Sequence, residues 1–167
     1  MRHERHKGFT LLELVVVMTL IGMMLSFTLP RLQDSLFSGG QKKLFRSMIL
    51  TIKGLRESSV VDQRAGILHV DIDSDSLWTS HEAMTEEELA KEKENRVRLS
   101  GELSIVDVTY PGKGVLSQGE AEIGFYKKGY SDYAVIHLAE GDDRYHSLVI
   151  EPFLPGIKLV DGYLQME

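Results

Sequence analysis

The hydrophobic pattern divides the chain into a continuous apolar run, an amphipathic stretch and a series of short alternating segments. The apolar run covers residues 9–29, which are 21 residues with one charge, Glu13. A membrane-spanning helix needs about 20 apolar residues, because each residue adds about 1.5 Å along the helix axis. The run therefore predicts a transmembrane helix over residues 9–30.

Helical spacing of apolar residues resumes beyond Pro30 and predicts an amphipathic helix over residues 31–64. The residues that recur at intervals of three and four are Leu32, Leu36, Leu44, Phe45, Met48, Ile49, Ile52 and Leu55. Gly39-Gly40 interrupts this pattern, either as a flexible point or as a helix break with a short loop.

From Ala65 the period changes to two, which is typical of strands. Two alternating segments, residues 67–72 and 77–79, predict a hairpin around Ser74-Asp75. Residues 85–98 are highly charged, and Thr85 with Glu88 has the spacing of a capping box, so a short solvated helix or a mobile insertion is expected there. Further strand signals cover residues 103–110, 121–126, 133–139, 145–151 and 157–164.

This pattern predicts an α+β fold, with a long N-terminal helix packed on an antiparallel β-sheet domain over residues 65–167. Six or seven short strands are expected to form the sheet. The amphipathic half of the helix is expected to lay its apolar stripe on one face of that sheet.

Three kinds of N-terminal segment could contain such an apolar run, and the residues in and before it distinguish among them. A cleavable secretory signal would have a shorter apolar region and an A-x-A-like site, and this chain has neither. An ordinary signal anchor would explain the length of the run but not the acid inside it, because an intramembrane carboxylate is costly. The string Lys7-Gly8 followed by Phe9-Thr10-Leu11-Leu12-Glu13 instead resembles the type IV prepilin signature, shared by type IV pilins and type II secretion pseudopilins.

The resemblance implies a role for several residues. A prepilin peptidase would cut after Gly8 on the cytoplasmic side, leaving residues 1–8 as a cleaved leader, and methylate Phe9 as the new N-terminus. Glu13 would pair with the Phe9 amine of a neighbouring subunit during assembly, because buried charges must be paired. Pro30 would kink the long helix rather than end it. The chain would then be a single-pass inner-membrane protein with a periplasmic C-terminal domain.

The C-terminal pattern resembles the H-type minor pseudopilins, although Lys127-Lys128 departs from the usual family string. The matching segments are residues 123–131, 134–138, 148–151 and 155–158. The resemblance implies a structural subunit of a type II secretion pseudopilus that links the tip complex to the shaft during protein export. Its partners would be the other minor pseudopilins and the major pseudopilin.

Two other functions are compatible with a membrane-anchored chain. One is a FimT-like minor pilin of a type IV pilus that takes part in DNA uptake. The other is a signal-anchored periplasmic binding domain that never assembles, and Gly8 and Glu13 argue against it because such an anchor needs neither.

Charge argues against nucleic acid as a main partner. The precursor has a net charge of −6, and loss of a leader that contains three basic residues and one acid makes the mature chain −8. Phosphate binding needs a basic patch, whereas the chain ends in residues 160–167 without a lysine or arginine. There is no cysteine, so disulfides and thiol chemistry are excluded.

Neither enzyme chemistry nor a cofactor or metal is expected. The spacing of a calcium loop is present in four acids, Asp71, Asp73, Asp75 and Glu82. However, Ser76 occupies the position at which that loop needs glycine. The alternating pattern also explains Asp71 and Asp73 as the solvent-facing side of a strand. The histidines lack metal-ligand spacing: His3 and His6 leave with the leader, and His69, His81, His137 and His146 are scattered. The tyrosines Tyr126, Tyr130, Tyr133 and Tyr145 are expected in core and edge packing.

Overall fold

The computed structural model describes residues 11–34 and 39–165. By its internal contacts the chain divides into two compact units, Met1–Gly40 and Gln41–Glu167. The elements in chain order are α1 (Leu11–Asp34), α2 (Gly39–Val61), β1 (Gly66–Asp71), β2 (Ser76–His81), α3 (Glu86–Glu94), β3 (Val97–Arg98), β4 (Leu103–Tyr110), β5 (Gly114–Leu116), β6 (Glu120–Phe125), β7 (Ala134–Glu140), β8 (Arg144–Ile150) and β9 (Ile157–Asp161).

The two N-terminal helices correspond to the predicted apolar and amphipathic stretches. Pro30 lies within α1, while Gly39 and Gly40 are the first residues of α2. The sequence predicts one long helix that continues through residues 35–38, but these residues lie outside the described part of the chain. The kink at Pro30 stays a prediction.

The strands form an α+β domain with antiparallel pairing, as predicted, but they divide into two sheets. The first sheet has the order β3-β2-β1-β6 and the second has the order β5-β4-β7-β8-β9. The division arises because β6 returns to pair with β1, whereas β7 pairs with β4. The described residues contain nine strands. The two that the sequence did not indicate, β3 and β5, are too short to show alternation.

The predicted hairpin and capping box are both confirmed. Strands β1 and β2 pair from Gly66↔His81 to Asp71↔Ser76. At the start of α3 the Thr85 hydroxyl accepts the Glu88 N–H, and the Glu88 carboxylate accepts the Thr85 N–H at 2.8 Å. These bonds to Thr85 lower the pKa of Glu88, since they favour its charged form.

Helix α2 packs against both sheets through a stripe of buried apolar residues, Phe45, Met48, Ile52 and Leu55. The Phe45 ring meets the His146 ring of β8 edge-on, with centroids 5.2 Å apart. At β1 the helix approaches so closely that a Cβ on Gly66 would lie 2.6 Å from Leu55 Cδ1. A larger residue at position 66 would therefore force the Leu55 and Ser59 side chains to shift.

A bulge in β4 and an early end of β9 shape the second sheet. The register of β4 against β7 shifts between Ile105 and Asp107, so that Asp107 lies opposite His137. The sequence predicted β9 to continue to residue 164, but the strand ends at Asp161. Gly162 then has φ +97°, which turns the chain out of the strand direction.

Candidate functional site

The residues predicted for processing and assembly lie at the N-terminal end of the chain. Gly8 and Phe9 lie outside the described residues. Glu13 lies in the first turn of α1 and is exposed, and Pro30 lies further along the same helix. The helix N-terminus is a favourable place for an acid because of the positive end of the helix dipole.

Over residues 11–21, helix α1 exposes apolar side chains around its circumference. Leu11 is 81% exposed and Met18 is 64% exposed, and consecutive residues of the segment 14–18 are all exposed. Within this stretch the Thr19 hydroxyl donates to the Val15 carbonyl of the same helix at 2.7 Å. A helix that is apolar all round needs an apolar environment.

Over the described residues, no helix is both long and apolar enough to cross a membrane.

The second unit holds three histidines that are buried and bonded to acids, and the sequence did not single them out. His137 is fully buried, and its Nδ1 lies 2.7 Å from Asp107 Oδ1. The other Asp107 oxygen accepts the Tyr163 hydroxyl at 2.9 Å, and the Tyr163 ring stacks on His137. Burial, followed by this bond to Asp107, raises the pKa of Tyr163. The network fastens the C-terminal segment onto the second sheet.

A second network joins the turn between β7 and β8 to β9. His146 Nε2 lies 2.8 Å from Glu140 Oε2, and its Nδ1 lies 3.1 Å from Asp161 Oδ1. Arg144 also reaches the buried Glu140 carboxylate, at 3.0 Å. Each acid here has a basic partner, so the arrangement serves to hold strands together.

The third network lies on the first sheet, around His69. His69 of β1 lies directly opposite Trp78 of β2 on one side and directly opposite Glu122 of β6 on the other. His69 Nδ1 lies 3.1 Å from Glu120 Oε1 and 3.7 Å from Glu122 Oε1. Its Nε2 lies 2.8 Å from the Ser80 hydroxyl. One imidazole therefore faces two carboxylates across neighbouring strands.

The three aspartates that have the spacing of a calcium loop accept hydrogen bonds from backbone groups. Asp71 accepts the Ser74 N–H at 3.0 Å, Asp73 accepts the Gly119 N–H at 3.2 Å, and Asp75 accepts the Ile105 N–H at 2.6 Å. The bonds from Ser74 lower the pKa of Asp71. These carboxylates point to different backbone segments, and the turn between β1 and β2 accounts for them.

An exposed apolar patch lies where the end of α2 meets the loop after β8. Val61 is 78% exposed, Phe153 is 84% exposed, and Leu154 and Tyr130 are also exposed. Tyr130 stacks on Tyr126, with ring centroids 4.6 Å apart. The Tyr130 and Phe153 rings lie 6.4 Å apart between centroids. Large exposed apolar patches on soluble domains are often interaction sites. We call these residues the apical patch.

Buried Arg56 positions the loop that carries the apical patch. Its guanidinium donates to the carbonyl oxygens of Leu154 and Glu151 and to the Ser131 hydroxyl. Its carbon CZ lies 5.5 Å from the centre of the Phe125 ring. Burial lowers the pKa of Arg56, but the guanidinium stays charged at any physiological pH.

The comparisons with known proteins bear on the N-terminal end. A family model described as the prokaryotic N-terminal methylation motif matches residues 4–29. No curated protein and no solved structure gives a significant match to the chain. A motif of this kind implies processing by a prepilin peptidase, a membrane-anchored N-terminus and assembly with other pilin-like subunits. The matched residues include Gly8, Phe9 and Glu13, so the match supports the resemblance of this chain to the type IV prepilin-like family.

Proposed function

We propose that this chain is a minor pseudopilin of a type II secretion system, of the H type, that links the tip complex of the pseudopilus to its shaft. The observation that carries the proposal is the methylation motif over residues 4–29, which continues into a helix that is apolar on all sides. A compact α+β unit follows this helix in the chain.

In this proposal the peptidase cuts between Gly8 and Phe9 and methylates the Phe9 amine. Residues 9–30 anchor the chain in the inner membrane, and the second unit lies in the periplasm. The Phe9 amine of one subunit then pairs with Glu13 of its neighbour. Because an isolated charge is costly in an apolar environment, this pairing favours the assembled state and fixes the register between subunits.

We propose a structural rather than an enzymatic role for the second unit. The buried histidines His137 and His146 contact acids that tie adjacent strands and the C-terminal segment together. The apical patch offers a neighbouring subunit an apolar surface outside the membrane. Both features suit a subunit that must stay folded while it is packed in a filament.

Replacement of Glu13 tests the assembly role. Glu13→Ala removes a charge from the apolar segment, so membrane insertion should be kept, while cross-linking to other pilin-like subunits should fall to a small fraction of the wild-type yield. The matched control is Thr19→Ala, which removes a polar group that bonds within its own helix and should leave cross-linking unchanged. Normal cross-linking of Glu13→Ala would refute the pairing role.

A FimT-like minor pilin that binds DNA is the second candidate. The loop between β6 and β7 favours it, because Lys127 and Lys128 are exposed beside the stacked rings of Tyr126 and Tyr130. Against it, Lys127 forms an ion pair with Glu82 at 2.9 Å, and the mature chain has a net charge of −8. The DNA titration given in the Discussion distinguishes the two candidates.

A further inference from the structure

We propose that His69, Glu120 and Glu122 form a binding site for a divalent transition-metal ion, with Zn²⁺ as the ion that suits the three ligands best. One nitrogen of His69 and one oxygen of each carboxylate lie within 4.8 Å of one another. The inference rests on the second unit alone, and it does not depend on the proposed function.

The sheet register brings these three side chains to one point. His69 and Glu122 are directly opposite each other on β1 and β6, and Glu120 lies two residues before Glu122 on the same face of β6. Opposite side chains in antiparallel strands have Cβ atoms about 5 Å apart, which is close enough for both to reach one ion. A metal bound here would join the two strands.

The distances fit tetrahedral zinc. Bonds of about 2.0–2.2 Å from zinc to nitrogen and oxygen place two ligand atoms roughly 3.4 Å apart. The separations from His69 Nδ1 to the Glu120 and Glu122 oxygens, 3.1 Å and 3.7 Å, lie on either side of that value. The two carboxylate oxygens lie within 4.8 Å of each other, so rotation of the exposed Glu122 side chain would have to complete the geometry.

Neighbouring side chains hold two of the ligands in place. Ser80 contacts Nε2 of His69, and a hydroxyl can donate to or accept from that nitrogen, so Nδ1 is able to present its lone pair to a metal. The His69 ring stacks on Trp78 with centroids 3.7 Å apart. The Trp78 indole N–H also donates to Oε2 of Glu120 at 3.0 Å. This bond orients the carboxylate so that its other oxygen, Oε1, faces His69.

The ligand types and the charges select the kind of cation. Two carboxylates facing one imidazole favour a divalent cation, because the carboxylates otherwise repel each other. Calcium and magnesium prefer shells made of oxygen, whereas an imidazole ligand suits zinc and its neighbours in the transition series. The Glu122 side chain is 63% exposed, so the remaining coordination position opens to solvent or to a group from a partner.

Zinc titration of the full-length chain in detergent, without a purification tag, tests the site. The background carries His3→Ala and His6→Ala, which removes the leader histidines as competing ligands. Calorimetry gives the stoichiometry, and fluorescence reports on the site because Trp78 is the single tryptophan of the chain and stacks on His69. We expect saturable binding of one Zn²⁺ per chain with a change in Trp78 emission, and no binding of Ca²⁺ at the same concentrations.

Variants locate the binding. Glu122→Gln keeps the size of an exposed side chain and removes its charge, so it should weaken zinc binding at least about tenfold with an unchanged circular dichroism spectrum. Glu87→Gln, which changes an exposed acid on α3, is the matched control and should bind like the parent. The absence of saturable zinc binding, equal affinity in Glu122→Gln, or stronger binding of Ca²⁺ would each overturn the proposal.

Discussion

At the residue scale, Arg56 shows how one buried side chain positions an exposed apolar surface. It is 8% exposed, lies on α2 and donates to the carbonyl oxygens of Glu151 and Leu154 in the loop that presents Phe153. Those carbonyls face no strand partner, so the guanidinium replaces the bonds that a sheet would have supplied. The position of the apical patch therefore depends on this residue.

Replacement of Arg56 should lower stability. Arg56→Met removes its hydrogen bonds to the loop, so that the Leu154 carbonyl loses this donor and the Glu151 carbonyl keeps only the Ser131 hydroxyl at 3.4 Å. The free energy of unfolding should therefore fall by roughly 1–3 kcal/mol. Urea unfolding followed by Trp78 fluorescence measures the change.

Lys53→Met is the matched control, because Lys53 is an exposed cation one turn earlier on the same helix. Its effect should stay within about 0.5 kcal/mol. If both variants lost the same stability, the hydrogen bonds of Arg56 would not be the cause.

The buried histidines show why part of the site could not be predicted from the sequence. His69 is 51 residues from Glu120, and His137 is 30 residues from Asp107, so spacing along the chain carries no sign of either pair. The pairs depend on which strands are neighbours and on their register, and a bulge in β4 sets the second one. Such information appears only when the sheets are assembled.

At the element scale, hydrophobic periodicity predicted the longer elements well. The amphipathic stripe of α2 and the hairpin of β1 and β2 lie where the pattern put them, because each has one face in the core. The division of the strands into two sheets was not predicted, since alternation shows that a residue faces a core but not which strand lies beside it. The early end of β9 at Asp161 arises from the turn at Gly162.

The cap of α3 allows a direct test at this scale. The helix has no buried residue, so its stability depends largely on local bonds such as those of its cap. Thr85→Ala removes the acceptor for the Glu88 N–H and should destabilise the helix by about 1 kcal/mol. Amide hydrogen exchange should become faster over residues 86–94.

Thr85→Ser keeps the hydroxyl and should exchange like the wild type. The same acceleration in both variants would mean that the cap does not determine the stability of α3.

At the scale of the whole molecule, the sequence was most informative at the N-terminal end. The predicted cut site, Glu13 and the apolar run lie close together along the chain, so they can be recognised without knowledge of the fold, and the family model matches the same residues. The second unit has its own buried core, formed by α2 and both sheets. A chain that begins at Asp34 should therefore fold as a soluble, acidic protein.

This soluble form decides between the two candidate functions. Because its charge opposes contact with phosphates, a gel-shift titration at physiological salt should show no bound DNA at micromolar protein. A clear shift would favour the FimT-like function. In that case, loss of the shift in a Lys127→Ala, Lys128→Ala variant would place the contact at the loop between β6 and β7.

The central claim is that the chain is a processed prepilin, and the mass of its mature form tests this most directly. The protein is produced in a host with a prepilin peptidase, purified from membranes and analysed by mass spectrometry of the N-terminal peptide. Gly8→Val serves as the control, because a bulky residue at the cut site should block cleavage and leave the leader attached. The account predicts that the wild-type chain begins at N-methyl-Phe9. A mature N-terminus beyond Phe9, or a leader retained in the wild type, would contradict it.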